Sequence, residues 1–286
     1  MVPASLLGPL LAHQAVEVFM RPVVSVYDLA GLEADLAGTI FAGNLQFSAV
    51  TGSTNTDALA AARNGAAQGS VFFADEQTAG RGRGDHRWQS QAGEGLYVSV
   101  VMRPSLSPAQ MPLIPLVAGL AAADAVRTIG GTAIDLRWPN DLLIGARKVG
   151  GILVESKTEA AGLAFVVIGI GINVHQRDFD PTHSTPATSL DIAAGRHVSR
   201  QALLVALLKS LEREMVFLSN AETANEILAR VEQASTWLKG RRVTVHGPQE
   251  CAGTTAGLNA QGFLLVRTDK GLVTVQTGGI RAAEME

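Results

Sequence analysis

Gln77-Thr78-Ala79-Gly80-Arg81-Gly82-Arg83-Gly84-Asp85-His86-Arg87-Trp88 is the stretch on which the reading of this chain turns. It lies between two apolar, β-forming runs, Ser70–Glu76 and Leu96–Met102, and closes on a bulky indole. Glycines at alternate positions permit positive φ and bare the backbone N–H groups, while the arginines between them offer forked donors. Both kinds of donor suit phosphate or carboxylate oxygens. Such a loop stays mobile until an anion neutralises it, so it is expected to order on binding. A solvated loop, or an arginine–glycine segment touching RNA, would show the same residues. The two flanking strands favour a small-anion site on a rigid frame.

Outward from this loop the chain alternates strands and helices. Leu45–Val50 reads as a strand, followed by Gly52-Ser53-Thr54-Asn55. Thr54 with Asp57 resembles an acidic capping box, and the helix Thr56–Asn64 stops at Gly65. A helix from about Pro112 to Ile129 ends at Gly130-Gly131. Ile134–Trp138, Leu142–Ile144 and Gly151–Ser156 read as strands, the last two as a hairpin turned at Gly145–Arg147. Leu163–Val174 is apolar on both faces, as a central strand is. Residues 175–190 form a polar loop, and Ser199–Leu218 and Glu222–Leu238 are helical. Past Lys239-Gly240 the texture changes to short strands at Val243–His246, Ala252–Leu258, Phe263–Arg267 and Leu272–Gln276, the mark of a small β-barrel. The fold class is therefore α+β: an N-terminal extension and first helix over residues 1–44, a mixed-sheet body over 45–239, and a β-only domain over 240–286. Residues 1–19 read as an extension or a misassigned start, because the pattern becomes regular only near Met20.

Composition bounds the function. The 286 residues carry 23 Lys+Arg against 26 Asp+Glu, a net charge of −3, which argues against a globally basic nucleic-acid binder. Hydrophobic residues at 47% are enough for a real core. Six scattered histidines and a single cysteine, Cys251, exclude an internal disulfide and show no zinc-ligand spacing. The reducing cytoplasm is the expected compartment. Residues 1–16 lack the basic start of a signal peptide. Pro104–Ala123 is uncharged but carries four prolines, so a buried helix is expected there and not a membrane span.

Three more constellations bear on chemistry. Arg137-Trp138-Pro139-Asn140-Asp141 ends a strand at a proline and presents Asn140 and Asp141 at its end. Lys148 lies beyond the hairpin turn and could return toward Asp141, where an ammonium can neutralise a phosphoryl group under attack. From spacing alone, a surface lysine and a turn aspartate account for the same residues equally well. Ile168-Gly169-Ile170-Gly171-Ile172-Asn173 is not a dinucleotide fingerprint, since the third glycine is missing and no helix follows. Its glycines serve either close packing or a ligand approached by the backbone. Ser53-Thr54-Asn55 can cap a helix and bind a polar ligand head at the same time.

Taken in order, Gly52-Ser-Thr-Asn55, Gln77…Gly80-Arg-Gly-Arg83…Trp88, Arg137-Trp-Pro-Asn-Asp141, Lys148-Val-Gly-Gly-Ile-Leu-Val-Glu155 and Gly169-Ile-Gly-Ile-Asn173 resemble the biotin–protein ligases, from roughly Gln46 to the C-terminus. The resemblance implies the class II synthetase-like biotin/lipoate ligase fold with an SH3-like C-terminal barrel. It implies an enzyme that makes biotinyl-5′-adenylate from biotin and ATP, with Mg2+, and passes biotin to a lysine of the biotin carboxyl carrier protein of acetyl-CoA carboxylase.

By the same resemblance Ser53, Thr54, Asn55 and Gln77 hold the ureido head of biotin. Gly80, Gly82, Asn140 and Asn173 join the biotin and ATP site, Gly150 and Gly151 admit backbone approach, and Gly169 and Gly171 line the cavity. Trp88 walls the apolar part. Arg81, Arg83 and Lys148 screen the meeting of two anions, and Asp141 orients or deprotonates the acceptor lysine. His86 stands where the family often has arginine, so Arg87 or protonated His86 would supply any third cation. Arg137 replaces a frequent lysine. Too few residues precede Ser53 for the DNA-binding domain that some members carry, so no specific DNA is expected; nor is a membrane, and the chain would be a monomer or homodimer. A lipoate or octanoate ligase of the same fold and a non-catalytic RNA module are the alternatives.

Overall fold

In a computed structural model, residues 27–84, 86–159, 162–182 and 184–283 are described, so the expectation for residues 1–19 lies outside them. The body contains α1 (Leu29–Asp35), β1 (Leu45–Thr51), α2 (Thr54–Arg63), β2 (Val71–Gln77), β3 (Gly95–Met102), a 3₁₀ turn (Pro108–Leu113), α3 (Ile114–Gly130), β4 (Asp135–Arg137), β5 (Asp141–Ile144), β6 (Arg147–Glu159) and β7 (Gly162–Asn173). Helices α4 (Leu190–Ala194), α5 (Arg200–Ser219) and α6 (Ala221–Gln233) follow. The chain closes with β8 (Lys239–His246), β9 (Cys251–Leu258), β10 (Leu264–Thr268), β11 (Gly271–Val275) and β12 (Gly279–Ala282).

Seven strands make a mixed sheet in the order β1-β2-β3-β7-β6-β5-β4, with β7 at its centre as its sequence predicts. Only β1 and β2 run parallel, joined by the crossover helix α2; every other neighbouring pair is antiparallel. Period-two alternation decides what each face carries. Val166, Ile168, Ile170 and Ile172 of β7 point into the main core beneath α3 and α5. Phe165 and Val167 point the other way, under Ala58, Leu59 and Ala62 of α2. Further along that second face come Gly169 and Gly171, so the strand is apolar on one face and bare on the other at its far end. This corrects the expectation of a strand apolar on both faces.

The apolar run through α3 is entered by the proline-rich 3₁₀ turn as expected, and 67% of its most apolar window is buried inside the molecule. Helix α5 lays Leu203, Leu204, Leu207, Leu208 and Leu211 against it. The last helix is shorter than its sequence pattern: α6 ends at Gln233, and Thr236 leaves it to bond Asp135 through its amide at 2.8 Å. The C-terminal strands form a five-stranded antiparallel sheet ordered β11-β10-β9-β8-β12, with one strand, β12, more than the sequence signals. Its Val243, Val245, Leu264 and Val266 continue the same core, and the Trp138 indole N–H donates to Gly262 O at 3.1 Å across the junction. Cys251 is half-buried and its thiol pKa is raised by burial, in keeping with a structural thiol.

Leu207 has no exposed surface. Leu207→Ala should therefore destabilise the chain by about 2–5 kcal/mol through lost burial and a residual cavity. Urea unfolding with an unchanged m-value measures it.

Candidate active site

The second face of the central strands has a floor opened by glycines. In register, Ser99, Gly169 and Leu153 form one row across β3, β7 and β6, and Tyr97, Gly171 and Gly151 form the next. A methyl group at Gly169 would collide with the Asn55 amide, and one at Gly171 would stand 2.7 Å from the Trp88 indole nitrogen. The glycines are required for close approach, not for unusual backbone angles.

At the inner end of this floor lies a polar network. Ser53, Thr54 and Asn55 are all buried at the start of α2. The helix begins at Thr54, two residues before the predicted start, with Ser53 as N-cap and no side-chain capping bond. The predicted capping box is absent, because its members are engaged elsewhere. Thr54 donates through its amide to Gln77 Oε1 at 2.9 Å, and its hydroxyl meets Gln77 Oε1 at 3.1 Å and Ser99 Oγ at 2.9 Å. Asp57 accepts from Thr51 Oγ1. Ser99 Oγ donates to Asn55 Oδ1 at 3.1 Å, Asn55 Nδ2 donates to Glu155 Oε2 at 2.5 Å, and Gln77 Nε2 donates to Ser90 Oγ at 2.7 Å. These donors and acceptors fix one another's orientation before any ligand arrives, which is how a small polar head is recognised at low entropic cost.

The Gly80–Gly84 loop crosses this floor. Its glycines act differently from one another: all three permit positive φ, but only Gly84 has it, at 64°. Gly80 instead admits the loop's return, since a Cβ there would lie 2.8 Å from Ser90 Oγ, and Gly82 packs under His86. Arg81 forms an ion pair with Glu155, so one carboxylate joins the loop to the Asn55 amide. Arg83 reaches out of the body: it donates to Gly278 O at 2.5 Å and Thr277 Oγ1 at 2.7 Å in the turn between β11 and β12. Burial lowers the Arg83 pKa from its ordinary value and the charge of Asp141 opposes that shift. His86 and Arg87 are exposed. Trp88 lies over Gly171 and Gly151, and its indole N–H is buried with no partner among the described residues.

The outer end of the floor is cationic. The β5–β6 hairpin returns Lys148 to Asp141 as anticipated, with Nζ 2.5 Å from Oδ1, and Nζ lies 5.6 Å from the Trp88 ring centre. Arg137 holds the other oxygen of Asp141 at 2.6 Å and donates to Thr185 Oγ1 at 2.9 Å. Burial would raise the Asp141 pKa, but Lys148 and Arg137 outweigh it and the pKa is lowered. A carboxylate clamped between two cations is a poor proton acceptor, so its geometry suits orienting Lys148 and not deprotonating an incoming amine.

Three anticipated residues are used structurally. The Asn140 amide donates to Ile152 O at 2.7 Å and Ile152 N–H returns to Asn140 O at 3.0 Å, tying β5 to β6. Asn173 is buried at the end of β7 and donates to Thr188 O at 3.0 Å. Gly150 lies on the opposite face from Gly151, where a Cβ would meet Leu142, so it serves packing. Glu155, Ser99, Ser90, Thr185 and Thr277 were missed from the sequence. Glu155 was reachable: Gly151, Leu153 and Glu155 share one face of β6 by alternation.

This architecture has relatives. Residues 47–173 match the model of the Biotin/lipoate A/B protein ligase family. Over 253 residues the chain is 32% identical to the bifunctional ligase/repressor BirA of Bacillus subtilis, covering 87% of this chain and 76% of that protein. Over 241 residues it is 35% identical to the biotin–[acetyl-CoA-carboxylase] ligase of Mycobacterium tuberculosis, covering 81% and 86%. The biotin protein ligase of Aquifex aeolicus, solved in complex with biotin and ATP, superposes with a TM-score of 0.72 at 29% identity over 84% of this chain and 98% of that one. The chain belongs to the biotin–protein ligase family.

Gly171→Ala should unseat the Trp88 indole. With Trp138 and Trp237 both buried, a red shift of tryptophan emission in the folded variant reports Trp88 alone; an unchanged spectrum would contradict the packing described.

Proposed function

We propose that this chain couples biotin to ATP and transfers it to a carrier lysine. One observation carries the reading: a polar network of buried Thr54 and Asn55 with half-buried Gln77, beside buried Ser53, faces one end of a glycine-lined floor, and Lys148, held by Asp141, faces the other. A ligand with a polar head, an apolar middle and a carboxylate tail fits that order of environments. The ureido head lies against the network, Trp88 covers the ring and chain, and the carboxylate reaches the cations.

In the first step a carboxylate oxygen attacks the α-phosphorus of ATP. The bond from that phosphorus to the bridging oxygen breaks, and pyrophosphate leaves. Both reactants are anionic, so cations already held in place lower the barrier by more than they would in water. Lys148, aimed by Asp141, neutralises the α-phosphoryl oxygens, and Arg81 and Arg83 steady the carboxylate and the phosphates. In the second step the acceptor amine attacks the acyl carbon, the carbon–oxygen bond to phosphate breaks, AMP leaves, and the amine loses its proton. Magnesium enters with ATP, held by phosphate oxygens and water. The donor set here fits that mode: Asp141 is engaged by Lys148 and Arg137, and Glu155 by Arg81 and Asn55.

The acceptor is read as the carboxyl carrier protein of acetyl-CoA carboxylase, and the compartment as the cytoplasm. A lipoate or octanoate ligase would have no use for three buried polar side chains and Gln77 at the head of the pocket. An RNA-binding loop would carry its arginines free, whereas Arg81 is paired with Glu155 and Arg83 with the β11–β12 turn.

Incubation of a purified carrier domain with this protein, biotin, ATP and Mg2+ should add one biotinyl group by mass spectrometry; lipoate in place of biotin should add nothing. Lys148→Ala should slow pyrophosphate release by ~100-fold or more with the thermal midpoint kept. Arg83→Ala, and to a smaller degree Thr277→Val, should release the adenylate faster, seen as a higher ratio of free biotinyl-AMP to modified carrier. Normal partitioning in both would remove the role given to Arg83.

A further inference from the structure

We infer that His175, Asp191 and His197 form a binding site for a late first-row divalent ion such as Zn2+, a role that the proposed reaction does not use. Sequence spacing gave no such site, because the residues are scattered along the chain. The fold brings them together where β7 ends, α4 begins and the segment before α5 passes.

Asp191 has one oxygen committed to the backbone and the other hydrogen-bonded to His175, a bond that an ion between them would replace. Its Oδ1 accepts from the Val198 amide at 2.8 Å, which fixes the carboxylate. Its Oδ2 faces His175 Nδ1 at 2.9 Å and His197 Nδ1 at 3.5 Å. The second distance is too long for a good hydrogen bond. It is close to the separation of about 3.4 Å between two ligands that share one tetrahedral zinc ion. All three ligand atoms lie within 4.8 Å of one another. Two imidazoles and a carboxylate select zinc, nickel or copper over magnesium, which takes oxygen.

The surroundings complete the case. A solvent-open cavity of about 580 Å³, lined by His175, His197, Asp35, Ser199 and Arg200, leaves room for water to fill the remaining coordination positions. The positive charge of Arg200 is engaged by Asp75 at 2.8 Å. The two rings are stacked, 4.4 Å apart with 8° between their planes, so an ion lying in both planes requires one ring to turn. His197 is the ring that can: its side chain is 76% exposed, against 18% for His175. Between His175 and Asp191 runs the segment whose Pro186 accepts from the Lys148 amide at 2.7 Å and whose Thr188 donates to Lys148 O at 2.9 Å. An ion at its base would clamp the segment that holds the Lys148 backbone.

The test is titration of Zn2+ into the full, untagged chain by calorimetry with millimolar Mg2+ present, with Co2+ as a visible-absorption probe. One ion per chain is expected, with binding weakened by about tenfold or more in His197→Ala and Asp191→Asn. His197→Ala removes an exposed side chain, so it folds and reads the site directly. Absence of zinc heat in the parent chain, or equal affinity in His197→Ala, would overturn the inference.

Discussion

Everything in the site depends on a few glycine positions in two adjacent rows of the sheet, where the backbone is bare. Gly171 and Gly151 face each other in register across β7 and β6, and Gly169 sits one row deeper. Had Gly169 or Gly171 carried a Cβ, Asn55 or Trp88 would be pushed off the sheet, whereas one at Gly151 would only touch Lys148 and Trp88 at ordinary contact distance. The same strand must also fill the core on its other face, which Ile168, Ile170 and Ile172 do. A strict alternation of large and absent side chains thus serves packing and recognition at once. Strand geometry makes this possible, since successive residues never compete for one face.

The charges above this floor are held in pairs. Arg81 sits on Glu155, Lys148 on Asp141, and Arg83 on main-chain and hydroxyl oxygens of the β11–β12 turn. Arg81 and Glu155 are partly exposed, where such a pair is worth about 0–1 kcal/mol, so an arriving anion displaces or shares it at little cost. Lys148 and Asp141 are more enclosed, and Arg137 closes the other side of the carboxylate. That pair therefore stays together while Nζ points over the Trp88 ring toward the floor. The first pair is suited to exchange and the second to aim, a division that follows from burial alone.

Much of this was legible beforehand, and the exceptions have physical causes. Period-two and helical patterns placed the strands and helices to within a few residues, and the turn at Gly145 returned Lys148 to Asp141. The start of α2 was misjudged because Thr54 reads locally as a cap, while its hydroxyl and amide are claimed by Gln77, which lies on a different strand. Asn140 differs: a polar residue at a strand end looks wholly available, yet its amide already bridges β5 and β6. The partners of Arg83 lie in the C-terminal sheet almost two hundred residues away, and no local pattern encodes such a contact. The same holds for His175, Asp191 and His197.

That distant contact lets the small C-terminal sheet help position the loop. A loop rich in glycine has many conformations to lose, and fixing each residue costs roughly 1–2 kcal/mol of entropy. Anchoring it at Arg83 to Thr277 and Gly278, at Arg81 to Glu155, and at Trp88 to the glycine rows removes much of that freedom in advance. Two anchors lie on β6 and β7 and the third on the C-terminal sheet, so the Arg83 anchor is in place only while that sheet is docked, as through Gly262 on Trp138. An anion entering such a loop meets donors already close to their places. Its binding energy can then go to bringing two like charges together, which is the difficult part of forming an acyl phosphate.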